Sequence, residues 1–146
     1  MAHVTKAIAK PQGCTNFKLR QLTRLVSQQC EQHFADSGLK TTQYSLLSYI
    51  DKLGPIAPGA LARRMDLDAS TLTRNLQPLI ADGWIEMGPG EDARSRLVQV
   101  TPAGHAKRAE MQKDWKRAQL SLNATLGEER VIKLHALLDE CLELMR

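Results

Sequence analysis

Two arginines, Arg94 and Arg96, stand two residues apart in the stretch GEDARSRLVQVTPAG at residues 90–104. A guanidinium held at the tip of a loop is either a solvated surface charge or a probe for something anionic. The flanking residues predict a displayed tip. Leu97, Val98 and Val100 suit a strand, with Val98 and Val100 two apart on one face. Upstream, WIEM at Trp84–Met87 is a second short strand candidate. Between them GPGEDARS is rich in glycine and carries both signs of charge, so the pair predicts a β-hairpin with an exposed end. Asp92 precedes Arg94 by two residues, where a carboxylate–guanidinium bond would brace the loop.

A second set of hydrogen-bonding residues lies just before the hairpin. Ser70, Thr71, Thr73, Arg74, Asn75 and Gln77 share the outward side of a helix over about 69–81, whose other side is Leu72, Leu76, Leu79 and Ile80. All six can hydrogen-bond to base edges or phosphates, and no carboxylate falls among residues 69–81. Taken alone, such a helix reads more simply as a surface helix with a solvated polar side. The hairpin beside it shifts the reading. A helix of this kind fits a major groove, while arginines on the hairpin reach an adjacent minor groove, where narrow width concentrates negative potential.

The elements that must position these side chains are legible from periodicity and punctuation. Residues 1–12 read as a basic arm ending near Pro11. A long helix over about 15–35 carries Leu19, Leu22, Val26 and Cys30 on one side and stops before Gly38. Thr41 or Thr42 is expected to cap the next helix, with Leu46, Leu47, Ile50 and Leu53 inward and Gly54-Pro55 ending it. A short helix from Pro58 to Met65 follows, then the turn DLDAS, where Asp68 or Ser70 caps the 69–81 helix. Pro78 inside that helix removes a backbone bond to Arg74 and predicts a bend without a stop. After the hairpin, Thr101 caps a helix with Pro102 at its first position. Gly104, Arg108, Met111, Trp115, Ala118 and Leu122 recur along it at steps of four and three, and Val131, Leu134, Leu138, Cys141 and Met145 continue a similar stripe from about Gly127.

The expected fold is therefore mainly α with a small β-wing, a winged helix-turn-helix flanked by N- and C-terminal dimerisation helices. Three parts are predicted: residues 1–40 as arm and first dimerisation helix, 41–101 as the winged lobe, and 102–146 as C-terminal dimerisation helices. Composition agrees. The 146 residues are 42% hydrophobic and 25% charged, the make-up of an ordinary globular domain, and only 4% aromatic, which favours an aliphatic helical core. A formal net charge of +4 leans toward an anionic partner. The odd, scattered cysteines Cys14, Cys30 and Cys141 fit a reducing compartment, and neither a secretory leader nor a membrane span is read, so a cytoplasmic location is expected.

With these elements in order, the chain resembles the MarR family of regulators over residues 14–146. The resemblance rests on the wing DARS at Asp92–Ser95, the following LVQVTPAG, the block ASTLTRNLQPLIADGWI and the segment GLKTTQYSLLSYI. It implies a homodimeric regulator, a repressor in the first instance, whose winged lobes read the two halves of an inverted repeat in double-stranded DNA. It also implies that Arg94 enters the minor groove and that Asp92 positions the loop.

Family members are often switched by small phenolic or carboxylate ligands or by thiol oxidation, which directs attention to two further sets. Arg20 and Tyr44, with His33, are the candidate ligand residues: an arginine clamps a carboxylate and a tyrosine hydroxyl orients it. Each has a plainer role as a solvated helix charge, a core tyrosine or a surface histidine. Cys14, ahead of the first helix, is the candidate redox thiol, since aligned N–H groups there favour a thiolate. The family's peroxide-sensing branch has phenylalanine directly after its cysteine, whereas Phe17 follows Cys14 two residues later than that. No cofactor and no metal site are expected, because Cys30 and His33 supply only two ligands. An enzyme is not expected either: no phosphate-binding loop, dinucleotide glycine motif or nucleophile elbow is present, and the four histidines are dispersed. The remaining rival is a winged-helix module that binds protein instead of DNA.

Overall fold

A computed structural model describes residues 10–92 and 94–146. Six helices and one hairpin follow in the order α1 (Thr15–Phe34), α2 (Thr41–Leu53), α3 (Pro58–Arg64), α4 (Ala69–Ala81), β1 (Ile85–Pro89), β2 (Arg96–Val100), α5 (Pro102–Leu126) and α6 (Glu128–Met145). The mainly helical fold with a small β-wing is the one expected from sequence. The basic arm over residues 1–12 lies mostly outside the described residues.

Each boundary has a local cause. Cys14 is the N-cap of α1, and its Sγ accepts the Phe17 N–H at 3.5 Å. The chain leaves α1 through Gly38, whose φ of +81° lies in the left-handed region that glycine enters without steric cost. The cap of α2 differs from expectation. Lys40, not Thr41 or Thr42, is the N-cap residue; Gln43 Oε1 accepts its N–H at 2.9 Å, while Glu31 Oε1 on α1 accepts the Thr41 N–H at 2.8 Å. A carboxylate ten positions upstream thus takes the place of a local hydroxyl. Pro58 opens α3, and the turn into α4 passes through Asp66 at φ +54°. Despite Pro78, α4 continues to Ala81. The proline removes one donor, but Leu79 behind it is fully buried and holds the last turn against the core.

The hairpin is antiparallel, with Ile85 opposite Val100, Met87 opposite Val98 and Pro89 opposite Arg96. Its first strand starts one residue later than WIEM predicts and runs two further. Trp84 is occupied otherwise: its N–H donates to Leu79 O at 2.9 Å and its carbonyl accepts the Thr101 N–H at 3.1 Å. That places Trp84 in the turn closing α4. A contact invisible to periodicity anchors the wing from behind. Ile56, between α2 and α3, exchanges two backbone hydrogen bonds with Val98, at 3.0 and 2.8 Å.

Thr101 caps α5 as expected, accepting the Gly104 N–H at 3.0 Å and donating to Gly83 O at 2.6 Å. Gly104 itself has a steric duty, since a Cβ there would collide with the Trp84 carbonyl. The core gathers Leu46, Leu47 and Ile50 of α2, Leu72 and Leu79 of α4 and Val98 of the wing, with Met111 and Ala118 of α5 continuous with it. Phe34 of α1 meets Tyr44 with ring centroids 5.4 Å apart.

The long helices leave much apolar surface uncovered. Of the stripe expected on α1, Leu19 is exposed, and Leu22, Val26 and Cys30 are only half-buried. On α6 Val131 is buried, but Leu138, Leu142 and Met145 are exposed, as is Trp115 on α5. Among the described residues no helix is long and apolar enough to cross a membrane.

Candidate nucleic-acid interface

Helix α4 turns Leu72, Leu76 and Leu79 into the core and leaves Ser70, Thr73, Arg74, Asn75 and Gln77 exposed, with Thr71 half-buried. The first turn is organised by Asp68, the N-cap residue. Its Oδ1 accepts the Thr71 N–H at 2.7 Å and the Ser70 hydroxyl at 2.8 Å, and its Oδ2 accepts the Thr71 hydroxyl at 3.0 Å. The Thr71 backbone N–H, then the two hydroxyls and the nearby Arg74 charge, hold the Asp68 carboxyl down to about 2. The hydroxyl of Thr73 donates to Ala69 O at 2.8 Å. Three of the six candidate residues therefore have their hydroxyl protons engaged. Among the described residues Arg74, Asn75 and Gln77 have no side-chain hydrogen-bond partner, so their donors stand ready for an external acceptor.

Beside this face runs a groove of about 190 Å³ where Lys40, Thr42 and Gln43 of the α2 start meet Arg74, Asn75 and Pro78. Sequence reading missed these α2 residues as candidates, because nothing along the chain announces that the start of α2 lies beside α4. Lys40 adds a cation to the face.

The wing tip is organised by Asp92, but not through the ion pair expected with Arg94. Asp92 Oδ1 accepts the backbone N–H of Arg94 at 2.9 Å and of Ser95 at 2.8 Å. Those two bonds, the Arg94 N–H foremost, hold the carboxyl below its ordinary range. Gly90 N–H donates to Ser95 O at 2.9 Å and closes the loop from the other side. The physical reason for the correction is reach: a short carboxylate two residues before its partner meets backbone amides first, as in an Asx-turn. The guanidinium is then left to project, and Arg94 and Arg96 are both exposed. Ala93 is not among the described residues.

The candidate ligand residues do not converge within one chain. Arg20 is exposed in a groove of about 430 Å³ that it shares with Cys14, Asn16, Phe17 and Arg24. Tyr44 is buried and lines a different groove of about 380 Å³ with Ser48, Tyr49, Arg108, Gln112 and Trp115. His33 is half-buried near the end of α1. Cys14 is exposed, while burial and then the neighbouring Glu31 charge push the Cys30 thiol up.

A helix pair with a polar outward helix, a braced hairpin beside it and long helices to either side define a winged helix-turn-helix protein. The sequence profile of the MarR family matches residues 37–95, the span from within the α1–α2 connection to the tip of the wing, ending before β2. The chain is 39% identical over 69 residues to the multiple antibiotic resistance protein MarR of Salmonella typhimurium, covering 47% of this chain and 48% of that protein. It is 28% identical over 94 residues to the HTH-type transcriptional regulator YwoH of Bacillus subtilis, covering 64% and 69%. The crystal structure of the M. tuberculosis transcriptional regulator MOSR in complex with DNA superposes with a TM-score of 0.76 at 30% identity, covering 92% of this chain and 99% of that one. The chain belongs to the MarR family.

Proposed function

We propose that this chain is a homodimeric, sequence-specific regulator of transcription that acts in the cytoplasm by occupying an inverted-repeat operator. In this reading α4 lies in the major groove, with Arg74, Asn75 and Gln77 at base edges and Ser70, Thr71 and Thr73 nearer the phosphates. Arg94 enters the adjacent minor groove and Arg96 follows the backbone. The observation that carries the reading is the pairing of an acid-free outward face on α4 with an arginine displayed on a wing that Asp92 ties from beneath. The 30%-identical MOSR structure, solved with DNA, supports it.

Two-fold assembly is proposed from the uncovered apolar residues of α1, α5 and α6, Leu25, Trp115, Leu120, Ile132, Leu137 and Leu142 among them. Repression released by a small aromatic or carboxylate effector is the finer part of the proposal. The aromatic lining of the Tyr44 groove supports it, whereas Arg20 takes part only if a second copy brings its α1 to that groove.

Selection of bound sequences from a random duplex library by the full chain tests the function. Enrichment of an inverted repeat is expected. Recovery of an unenriched library would reject sequence-specific reading and favour a protein-binding winged helix.

A further inference from the structure

The turn that aims α4 is held from a distant part of the chain. Between α3 and α4 the backbone reverses at Asp66, whose φ of +54° lies in the left-handed region that aspartate enters more readily than most residues. Behind it the Leu67 N–H donates to Ala62 O at 2.9 Å, and Asp68, two residues on, caps α4. The Asp66 carboxylate is gripped by Arg146, 80 residues along the chain at the end of α6. Nε lies 3.2 Å from both Oδ1 and Oδ2, and Nη2 lies 2.6 Å from Oδ2. The Arg146 hydrogen bond, ahead of its charge, holds the Asp66 carboxyl below its ordinary range. Among the described residues this is the side-chain hydrogen bonding that joins α6 to the winged lobe, while the body of α6 packs on α5. Both side chains are about half exposed, so the pair adds little to stability. What a guanidinium spread over both carboxylate oxygens supplies is direction.

We propose that Arg146 is a positioning residue for DNA reading: by holding Asp66 it fixes the tilt of the winged lobe, and of α4 within it, against the long helices. In a two-fold protein that tilt sets the half-site spacing the paired lobes accept. The inference rests on the proposed reading of an inverted repeat. Arg146 stays off the DNA in it, because its guanidinium is engaged by Asp66.

The test compares the full-length wild type with Arg146→Gln, Asp66→Asn, the double variant and Arg146→Lys. Asparagine is chosen at position 66 because it tolerates the left-handed backbone. Binding is measured across salt to the selected repeat and to the same half-sites moved apart by a base pair, and amide exchange is followed without DNA. Arg146→Gln and Asp66→Asn should each weaken the selected repeat about threefold and narrow its advantage over the lengthened repeat by about the same factor. The double variant should be no worse than either single one, and Arg146→Lys should recover part of the loss. The melting temperature should not move, and the salt slope should stay that of the wild type, since no phosphate contact is lost. Exchange at Leu67 should quicken about threefold in both single variants while Met111 in α5 stays slow. Lys133→Gln, which removes a like charge from the exposed side of the same helix, should leave every reading unchanged. A salt slope flattened by Arg146→Gln would place the residue on a phosphate and overturn the proposal. Additive losses in the double variant, or an undiminished spacing preference, would do the same. A wild type that selects no repeat would fail the DNA reading instead, and unchanged exchange at Leu67 would then show separately that Arg146 does not hold the turn.

Discussion

Arg94 is the residue on which the functional reading bears hardest. Its backbone N–H is used by Asp92 and its side chain is exposed, so it contributes nothing to the core. Arg94→Ala should leave the melting temperature and assembly unchanged and weaken binding to the selected repeat by about 1–3 kcal/mol, read by fluorescence anisotropy. Asp92→Ala, which frees two amides, should give a milder loss even though it removes a negative charge near DNA. Asp68 offers a test in pH. A free aspartate titrates near 4, and here the carboxyl is held down to about 2 by the first turn of α4. Its stabilising effect is complete above the unfolded value and is lost as pH falls toward the folded one. The melting-temperature gap between wild type and Asp68→Ala should hold steady from pH 7 to about pH 4 and narrow below it. A gap that widens on acidification would contradict the assignment. At this scale the sequence was a good guide to residue types and a poor one to their bonds. It identified Asp92 as a brace but chose the guanidinium over two nearer amides, and it could not show that Asp68 engages the hydroxyls of Ser70 and Thr71.

At the scale of elements, local signals were legible and long-range ones were not. Thr101 and Pro102 mark the start of α5 because cap and first turn are written in adjacent residues. The start of α2 was misread because its second acceptor, Glu31, comes from another helix. The Ile56 bridge to Val98 was missed for a similar reason, since a lone apolar residue between two helices has no period. Pro78 was legible in outcome, because the apolar positions on either side kept α4 on the core. Gly104 gives this scale its prediction. Its spacing on the α5 stripe identified an inward position, but only the fold shows the Trp84 carbonyl against it. Gly104→Ala should cost about 2 kcal/mol or more in urea denaturation, because backbone must move to admit the methyl. A neutral Gly104→Ala would mean that α5 and the wing are joined more loosely than their hydrogen bonds indicate.

For the whole molecule, the apolar residues left open on α1, α5 and α6 and the polar face of α4 have to be explained together. A stripe periodicity predicts which side of a helix is apolar, but not whether the cover comes from the same chain. Leu19, Trp115 and Leu138 show the consequence, each inward by pattern and uncovered in one chain. Sedimentation should therefore find a dimer at micromolar concentration, and a stable monomer would remove the basis for two-fold operator reading. The central claim is that the assembled lobes read DNA sequence. The most direct measurement is the affinity of the full chain for the selected repeat and for a shuffled duplex of equal length, each across a range of salt. The account predicts a preference of about a thousandfold or more for the repeat, and affinities that fall linearly with log salt as counterions return to the phosphates. Equal affinity for the two duplexes, or binding indifferent to salt, would contradict it.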